Sequence, residues 1–193
     1  GLGAMKYYTY KYDFFHNADL LFYPGDVFKR KMESINPGFK NGLLGGYPRM
    51  DELYSQKINR KKMCQKFGLN PELPIILFAP SWGGKYSKHS GINNIKYLKN
   101  IENLIVVPHP ADYGKAKNTS AIMPDKDENI NQFISLADII ISEVSSVAAE
   151  ACLLDKPVIQ LVLDSFPGCF PEKDKRKEEG WIKEKEIEKE KSI

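Results

Sequence analysis

With 193 residues and 42% hydrophobic content, the chain has enough apolar material for one well-buried domain and a short appendage, but not for two full lobes. Its net charge of +3, from 28 lysines and arginines against 25 aspartates and glutamates, is too small to indicate a nucleic-acid-binding protein. The tail at 172–193 is dense in both charges, so it is predicted to be a solvated helix or disordered.

The sequence also excludes several other classes of protein. It has no signal peptide and no apolar run long enough to span a bilayer, which favours a cytoplasmic location. Residues 1–5 have the character of a cloning remnant before a start at Met5. The cysteines, Cys64, Cys152 and Cys169, are odd in number and far apart, which favours reduced thiols over a disulfide or a metal site. No metal-ligand motif, P-loop, dinucleotide motif or nucleophile elbow occurs, so no metal and no cofactor are expected.

Short apolar runs alternate with helical patterns along the chain. Strands are predicted, in chain order, at 20–23, 43–45, 74–79, 104–107, 138–142 and 157–162. Helices are predicted at 51–67, with Gly68 as the stop signal, around 130–137 and at 146–154. The strands are continuously apolar rather than alternating, so both faces of the sheet are expected to be buried. This pattern predicts an α/β fold: a Rossmann-like parallel sheet of five to seven strands within 41–163, flanked by helices, with the 138–142 strand central.

Ligands of open parallel sheets bind at the carboxyl ends of the strands, and four segments of this chain reach that edge. They are 45–49, 79–84, 108–110 and 142–146. In the second of them, Gly83 follows Ser81 and Trp82 and lets the backbone approach a ligand closely. Trp82 is equally suited to packing on a nucleotide base and to packing in the core.

The segment 142–146 is the most informative of the four, because a helix is predicted to begin directly after a strand. Such a helix start carries unpaired N–H groups and a partial positive charge, and Ser145 and Ser146 add hydroxyl groups. A phosphate fits this place, although one serine may equally serve as a helix cap. Glu150 lies one turn further along, among small and apolar neighbours, where a buried carboxylate needs a partner. The two hydroxyls of a ribose are one such partner.

His109 follows a buried strand and lies between two prolines, which restrict its backbone and fix where the imidazole points. A histidine held at the end of a strand can donate to a phosphate or transfer a proton. His109 is therefore the candidate catalytic residue.

Five motifs occur along the chain in a fixed order. They are GYPRMD at 46–51, FAPSW at 78–82, HP at 109–110, ISEVSSV at 141–147 and DKPVI at 155–159. This order resembles the CDP-glycerol glycerophosphotransferase family, whose members make teichoic acids and related capsule polymers. The resemblance covers about residues 19 to 163.

The resemblance implies the C-terminal, donor-binding lobe of a GT-B fold, placed at 41–171. It implies that 6–40 is the end of an N-terminal lobe with its linker, and that this lobe would bind the polymer acceptor. The donor would be a nucleoside-diphosphate-linked compound, either CDP-glycerol or a nucleotide sugar. The full-length protein would be peripheral at the inner face of the cell membrane, and this chain alone would be inactive.

The same resemblance gives roles to individual residues. His109 matches the histidine that contacts the pyrophosphate, and Ser145 and Ser146 match the serines that bind the donor phosphates. Gly46 begins the motif that contains Arg49, so both are expected to contact the donor. Departures are Gly83, where the family usually has arginine, and Glu143, where it has aspartate.

Two other interpretations stay open. The segment from 142 to 151, with the lysine and proline at 156–157, is also similar to UDP-N-acetylglucosamine 2-epimerases, which share the GT-B fold. A lobe that only scaffolds a capsule or teichoic acid complex is the third interpretation.

The motifs predict a particular geometry. If the 104–107 and 138–142 strands are neighbours, His109, Ser145 and Ser146 face one pocket. Glu150 then lies one helical turn deeper, and Arg49 lies across the cleft.

Overall fold

The computed structural model describes residues 18–81, 91–116, 121–143 and 145–161. The chain divides into two compact units, and the described residues up to 51 belong to the first, whereas those from 52 to 161 belong to the second. Trp82, Gly83 and the tail at 172–193 lie outside the described residues.

The first unit contains a pair of parallel strands and one helix. β1 is Leu21–Tyr23, α1 is Asp26–Ile35 and β2 is Gly42–Leu44. Leu21 pairs with Gly42 in this ladder, and Tyr23 and Met32 form the centre of a small apolar cluster. Several large apolar side chains of this unit are exposed, namely Leu20, Phe22, Val27, Leu43 and Leu44.

The second unit is built on a four-stranded parallel sheet in the order β4-β3-β5-β6. The strands are β3, Ile76–Phe78, β4, Leu104–Val106, β5, Ile139–Ser142, and β6, Val158–Gln160. The helices are α2, Arg49–Ser55, which contains residues of both units, α3, Arg60–Phe67, α4, Ile130–Leu136, and α5, Ser146–Leu153. Gly91–Tyr97 and Pro110–Lys115 are 3-10 helices.

Burial on both faces of this sheet confirms the interpretation of the continuous apolar runs. The successive residues Leu77 and Phe78 point to opposite faces, and both are fully buried. Phe78 packs in one cluster with Val106 and Ile141 from the two neighbouring strands. The predicted α/β fold with a parallel sheet flanked by helices is therefore confirmed.

The number of strands differs from the prediction. The described residues form four strands in the main sheet rather than five to seven, because β2, predicted at 43–45, pairs with β1 in a separate sheet. An isolated parallel bridge between Ile105 and Ile122 extends the edge beside β4. The strand predicted at 138–142 is central, as predicted, since it is one of the two inner strands. It is not a neighbour of the strand predicted at 104–107, because β3 lies between them.

The single helix predicted at 51–67 is two helices. The Asn59 side chain accepts a hydrogen bond from the Lys62 backbone N–H at 3.1 Å and so caps the start of α3. The stop at Gly68 is confirmed, since this residue caps α3 in the left-handed conformation, with φ of 67°.

An ion pair joins the start of α3 to the beginning of the sheet. The Arg60 guanidinium donates to both carboxylate oxygens of Asp138, at 2.9 and 3.2 Å, and Asp138 also accepts from the Ile75 N–H at 2.8 Å. Burial acts to raise the pKa of Asp138, but the Ile75 hydrogen bond and the Arg60 guanidinium outweigh it and hold that pKa below the usual value. Because Ile75 and Asp138 precede β3 and β5, this cluster fixes the end of the sheet opposite to the predicted site.

Candidate functional site

The carboxyl ends of β3, β4 and β5 lie at one edge of the sheet because the three strands are parallel. Ser81 follows β3, His109 follows β4, and Ser145 and Ser146 follow β5. With β3 between the other two, the axes of β4 and β5 are roughly 10 Å apart, twice the usual strand spacing. The topology thus brings four of the predicted site residues to the same edge, with Ser81 in the middle.

The start of α5 has the geometry that the sequence predicts for a phosphate site. Ser145 is the N-cap, with an extended backbone, and its hydroxyl accepts from the Val147 N–H at 3.3 Å. The alternative interpretation of a capping serine therefore holds for Ser145 in this structure. Ser146 is the first helical residue, and both serines are half-buried. The first turn of α5 leaves backbone N–H groups that point toward the edge and favour an anion.

Glu150 is almost completely buried, with 1% of its surface exposed. Neither carboxylate oxygen has a hydrogen-bond partner among the described residues. It lies one turn beyond Ser146 on the same helix, as predicted. A buried carboxyl group without a partner destabilises the fold, and an unexplained group of this kind points to a partner that binds there.

His109 is exposed and caps the 3-10 helix Pro110–Lys115. Its Nδ1 accepts a hydrogen bond from the Ala111 N–H at 3.3 Å. An accepting Nδ1 places the proton of the neutral ring on Nε2. The ring therefore has the tautomer in which Nε2 can donate to a phosphate oxygen.

Glu143 was singled out from the sequence only as a departure from the family pattern, yet it lies at the centre of this edge. Its side chain is 1% exposed, and Oε2 accepts from the Ser81 N–H at 2.6 Å. Burial raises the pKa of Glu143, although hydrogen bonding from Ser81 opposes this effect. One residue earlier, the Ser142 hydroxyl donates to the Ala79 carbonyl at 2.7 Å. An acidic residue directly after a buried strand was the sequence signal that could have identified this position.

For the remaining predicted site residues, a position at this edge stays a prediction. Gly46, with a left-handed φ of 72°, follows β2, and Arg49 begins α2 with an exposed side chain. Both belong to the first unit, so the predicted position of Arg49 across a cleft stays a prediction. Trp82 and Gly83 fall outside the described part of the chain.

An open cavity of about 670 Å³ lies beside the 3-10 helix that His109 caps. It is lined by Tyr113 and by 123–128, which includes three carboxylates and one lysine. Burial raises the pKa of the Tyr113 hydroxyl, and the negative charges of Asp125, Asp127 and Glu128 add to the effect. This negative potential disfavours a phosphate, so the cavity is not the phosphate site.

The described ranges contain neither a candidate metal site nor a helix that could span a membrane. These residues hold no group of three or more histidine, cysteine, aspartate or glutamate side chains that could bind a metal ion. Within the same residues, none of the helices combines the length and apolar character needed to cross a membrane.

Comparison with known proteins identifies the family. Residues 11–166 match the model of the CDP-Glycerol:Poly(glycerophosphate) glycerophosphotransferase family. The chain belongs to this family. The chain is 29% identical over 147 residues to the teichoic acid glycerol-phosphate primase of Bacillus spizizenii, covering 72% of the chain and 38% of the primase. It is 27% identical over 143 residues to the teichoic acid poly(glycerol phosphate) polymerase of the same organism, covering 65% of the chain and 36% of the polymerase.

Solved structures support the fold of this chain. The wall teichoic acid polymerase TagF matches with a TM-score of 0.55 and 21% identity, over 78% of the chain and 41% of TagF. A TagF variant soaked with CDPG for 30 minutes matches with a TM-score of 0.56 and 20% identity, over 78% of the chain and 40% of that structure. The predicted GT-B type of fold is confirmed by this likeness. The chain spans about two fifths of the length of these relatives.

Proposed function

We propose that this chain is the donor-binding lobe of a transferase that moves glycerol phosphate from CDP-glycerol to a cell-surface polymer. The observation that carries the proposal is the edge that gathers His109, Ser145 and Ser146 within a chain of the glycerophosphotransferase family. A relative in this family has been soaked with CDPG. In this proposal 41–171 is the donor lobe, 6–40 is the end of a preceding lobe that binds the acceptor, and 172–193 is a solvated tail. The whole protein would act at the inner face of the cell membrane.

The proposed reaction transfers a phosphoryl group, so charge must be stabilised as a bond of the donor diphosphate breaks. An acceptor hydroxyl would attack the phosphorus that carries glycerol and give up its proton to a base of the acceptor lobe, the bond to the bridging oxygen would break, and CMP would leave with the electron pair of that bond. The first turn of α5 and the serine hydroxyls would bind the phosphates. The Nε2–H of His109 would donate to the diphosphate and help the leaving group depart.

Glu150 would accept hydrogen bonds from the ribose hydroxyls, which supplies the partner that its buried carboxyl group lacks among the described residues. Ser81 would contact the donor from the middle of the edge. Gly46 and Arg49, and Trp82 and Gly83, remain proposed donor contacts on the basis of the family resemblance.

Isothermal titration calorimetry with CDP, UDP, CDP-glycerol and UDP-N-acetylglucosamine tests this proposal. We expect weak binding that favours CDP-glycerol, because a donor lobe by itself does not close over its ligand and exclude water. A preference for UDP and its sugar would favour the epimerase interpretation. An absence of binding by every nucleotide at millimolar concentration would favour a scaffold.

The phosphate contacts are tested by combining His109→Ala with Ser146→Ala. Each charge-assisted hydrogen bond to phosphate contributes about 1.5–3 kcal/mol. The double variant is therefore expected to bind CDP-glycerol about 100-fold more weakly or worse, with a melting temperature close to that of the parent. If the double variant binds as well as the parent, the phosphate site lies elsewhere.

A further inference from the structure

Glu143 is a buried titratable group to which the proposed mechanism gives no role. It follows β5 directly and lies two residues before the cap of α5. A glutamate with 1% of its surface exposed is costly to bury. The fold nevertheless places it between the strand ends that carry Ser81 and the α5 serines.

Both oxygens of Glu143 lie close to Gly91, where an added Cβ would be 2.3 Å from Oε1 and 2.6 Å from Oε2, but the two oxygens differ in their hydrogen bonds. Oε2 accepts from the Ser81 N–H at 2.6 Å. Oε1 has no hydrogen-bond partner among the described residues. Only glycine at 91 leaves room for this carboxyl group. One side chain therefore contacts residues on both sides of 82–90.

A second cross-strand bond provides a structural comparison. The Ser142 hydroxyl donates to the Ala79 carbonyl at 2.7 Å, so it also joins the end of β5 to the end of β3. It lies one residue from Glu143 and is fully buried, but its hydroxyl donates to Ala79 rather than accepting from the Ser81 N–H. Ser142 thus also joins the end of β5 to the end of β3, but its hydroxyl does not hold Ser81, the residue proposed to face the donor.

We propose that Glu143 is a positioning residue that holds Ser81 in place for the donor and does so through its contacts with the Ser81 N–H and with Gly91. This inference rests on the proposed function, because Ser81 is one of the donor contacts proposed there. Ser81 follows β3, whose two neighbours in the sheet are β4, which precedes His109, and β5, which precedes the start of α5. If the Ser81 backbone moved, the donor would lose a contact in the middle of the edge. The diphosphate must reach there from His109 to the serines of α5.

The test compares Glu143→Met with Glu143→Gln. Methionine has a similar length but no oxygen, so the Ser81 N–H loses its acceptor. Glutamine retains an oxygen in the same place, so it should restore the bond. We expect Glu143→Met to weaken CDP-glycerol binding about tenfold or more, and Glu143→Gln to remain within about threefold of the parent, since one charge-assisted hydrogen bond contributes about 1.5 kcal/mol or more.

Two further variants separate positioning from stability. Ser142→Ala removes the neighbouring cross-strand bond, so it should lower the melting temperature but leave the affinity for CDP-glycerol unchanged. Gly91→Ala displaces the carboxyl group from the opposite side, so it should weaken binding as Glu143→Met does. Combining Gly91→Ala with Glu143→Met should add little further loss, because both act on one contact.

Hydrogen exchange at the Ser81 amide provides a readout that needs no ligand. Faster exchange in Glu143→Met but not in Ser142→Ala would support the inference even if the parent binds no nucleotide, in which case only the proposed function fails. Unchanged exchange in Glu143→Met would overturn the inference. With a parent that binds CDP-glycerol, equal affinity in Glu143→Met and the parent would also overturn it.

Discussion

The two buried glutamates at the candidate site differ in whether their carboxylate oxygens have hydrogen-bond partners within the described residues. Glu143 accepts from the Ser81 N–H, whereas neither oxygen of Glu150 has a hydrogen-bond partner among the described residues. A buried carboxyl group without partners destabilises the unliganded protein, and a ligand that donates to it removes that cost. We therefore expect Glu150 to raise the affinity for the donor and to lower the stability of the unliganded protein.

Replacing Glu150 by methionine tests that opposition. The substitution keeps the volume and removes the unsatisfied oxygens, so we expect the free energy of unfolding to rise by about 1–3 kcal/mol. Affinity for CDP-glycerol should fall, because the proposed ribose contact is lost. Urea denaturation and calorimetry on the same preparation measure the two effects.

Glu102→Met serves as the control, because Glu102 is an exposed carboxylate of the same unit. It should change neither quantity by much. A Glu150→Met variant that unfolds at lower urea than the parent would show that Glu150 stabilises the fold through a partner.

The sequence predicted structural features well where the signal was local. The position of His109 between prolines after a strand, and of the two serines before a helix, depends on neighbours in sequence, and the structure has both features. The bond from Ser81 to Glu143 joins residues 62 positions apart. No local pattern contains that pairing, which is why the role of Glu143 became visible only in the folded chain.

At the scale of elements, the end of α3 depends on one glycine. Gly68 has φ of 67° and open space where a Cβ would lie, so alanine there is strained in its backbone but does not clash. We expect Gly68→Ala to lower the free energy of unfolding by about 1 kcal/mol. Chemical denaturation measures this, and Gly68→Asn, which tolerates the left-handed region better, should cost less. Equal stability of Gly68→Ala and the parent would show that this cap adjusts without cost.

The ion pair between α3 and the sheet predicts a dependence of stability on pH. The folded pKa of Asp138 is lowered, so its contribution is fully present above the ordinary aspartate pKa of 3.8 and is lost as the pH falls through the folded value. Asp138→Asn should be less stable than the parent at pH 7, and the difference should shrink below about pH 4. Urea midpoints between pH 3 and 7 measure this.

The exposed Asp19 provides the control for this experiment. Asp19→Asn should follow the parent across the range. A difference between Asp138→Asn and the parent that stays constant from pH 7 to pH 3 would contradict the role given to the charged form.

The same cluster explains why the helix at 51–67 was predicted as one element. The apolar spacing runs through both helices, and the break depends on the Asn59 cap and on Arg60, whose guanidinium reaches Asp138 at a separation of 78 residues. Asparagine before a helical pattern is a recognised start signal. The ion pair between Arg60 and Asp138 is a tertiary contact, so the helical periodicity of the sequence does not reveal it.

At the scale of the whole molecule, we expect donor binding without turnover. Transfer requires the acceptor hydroxyl to be oriented against the donor phosphorus, and the residues proposed for donor binding contain no acceptor site. We expect this chain to bind CDP-glycerol but to release no measurable glycerol phosphate or polymer. Product formation above that of His109→Ala would contradict the assignment of the chain as a donor lobe.

The strand order also has a consequence for how the chain folds in time. β5 and β6 are joined through α5 alone, so their pairing closes the shortest loop in the sheet. β3 pairs with β5 only after the long stretch between them has been enclosed, and pairings distant in sequence form slowly. The edge that carries Ser81 between His109 and the α5 serines should therefore be assembled last. A nascent chain that has emerged only as far as the 3-10 helix Pro110–Lys115 would contain Ser81 and His109 but would lack the start of α5, where the phosphates are proposed to bind.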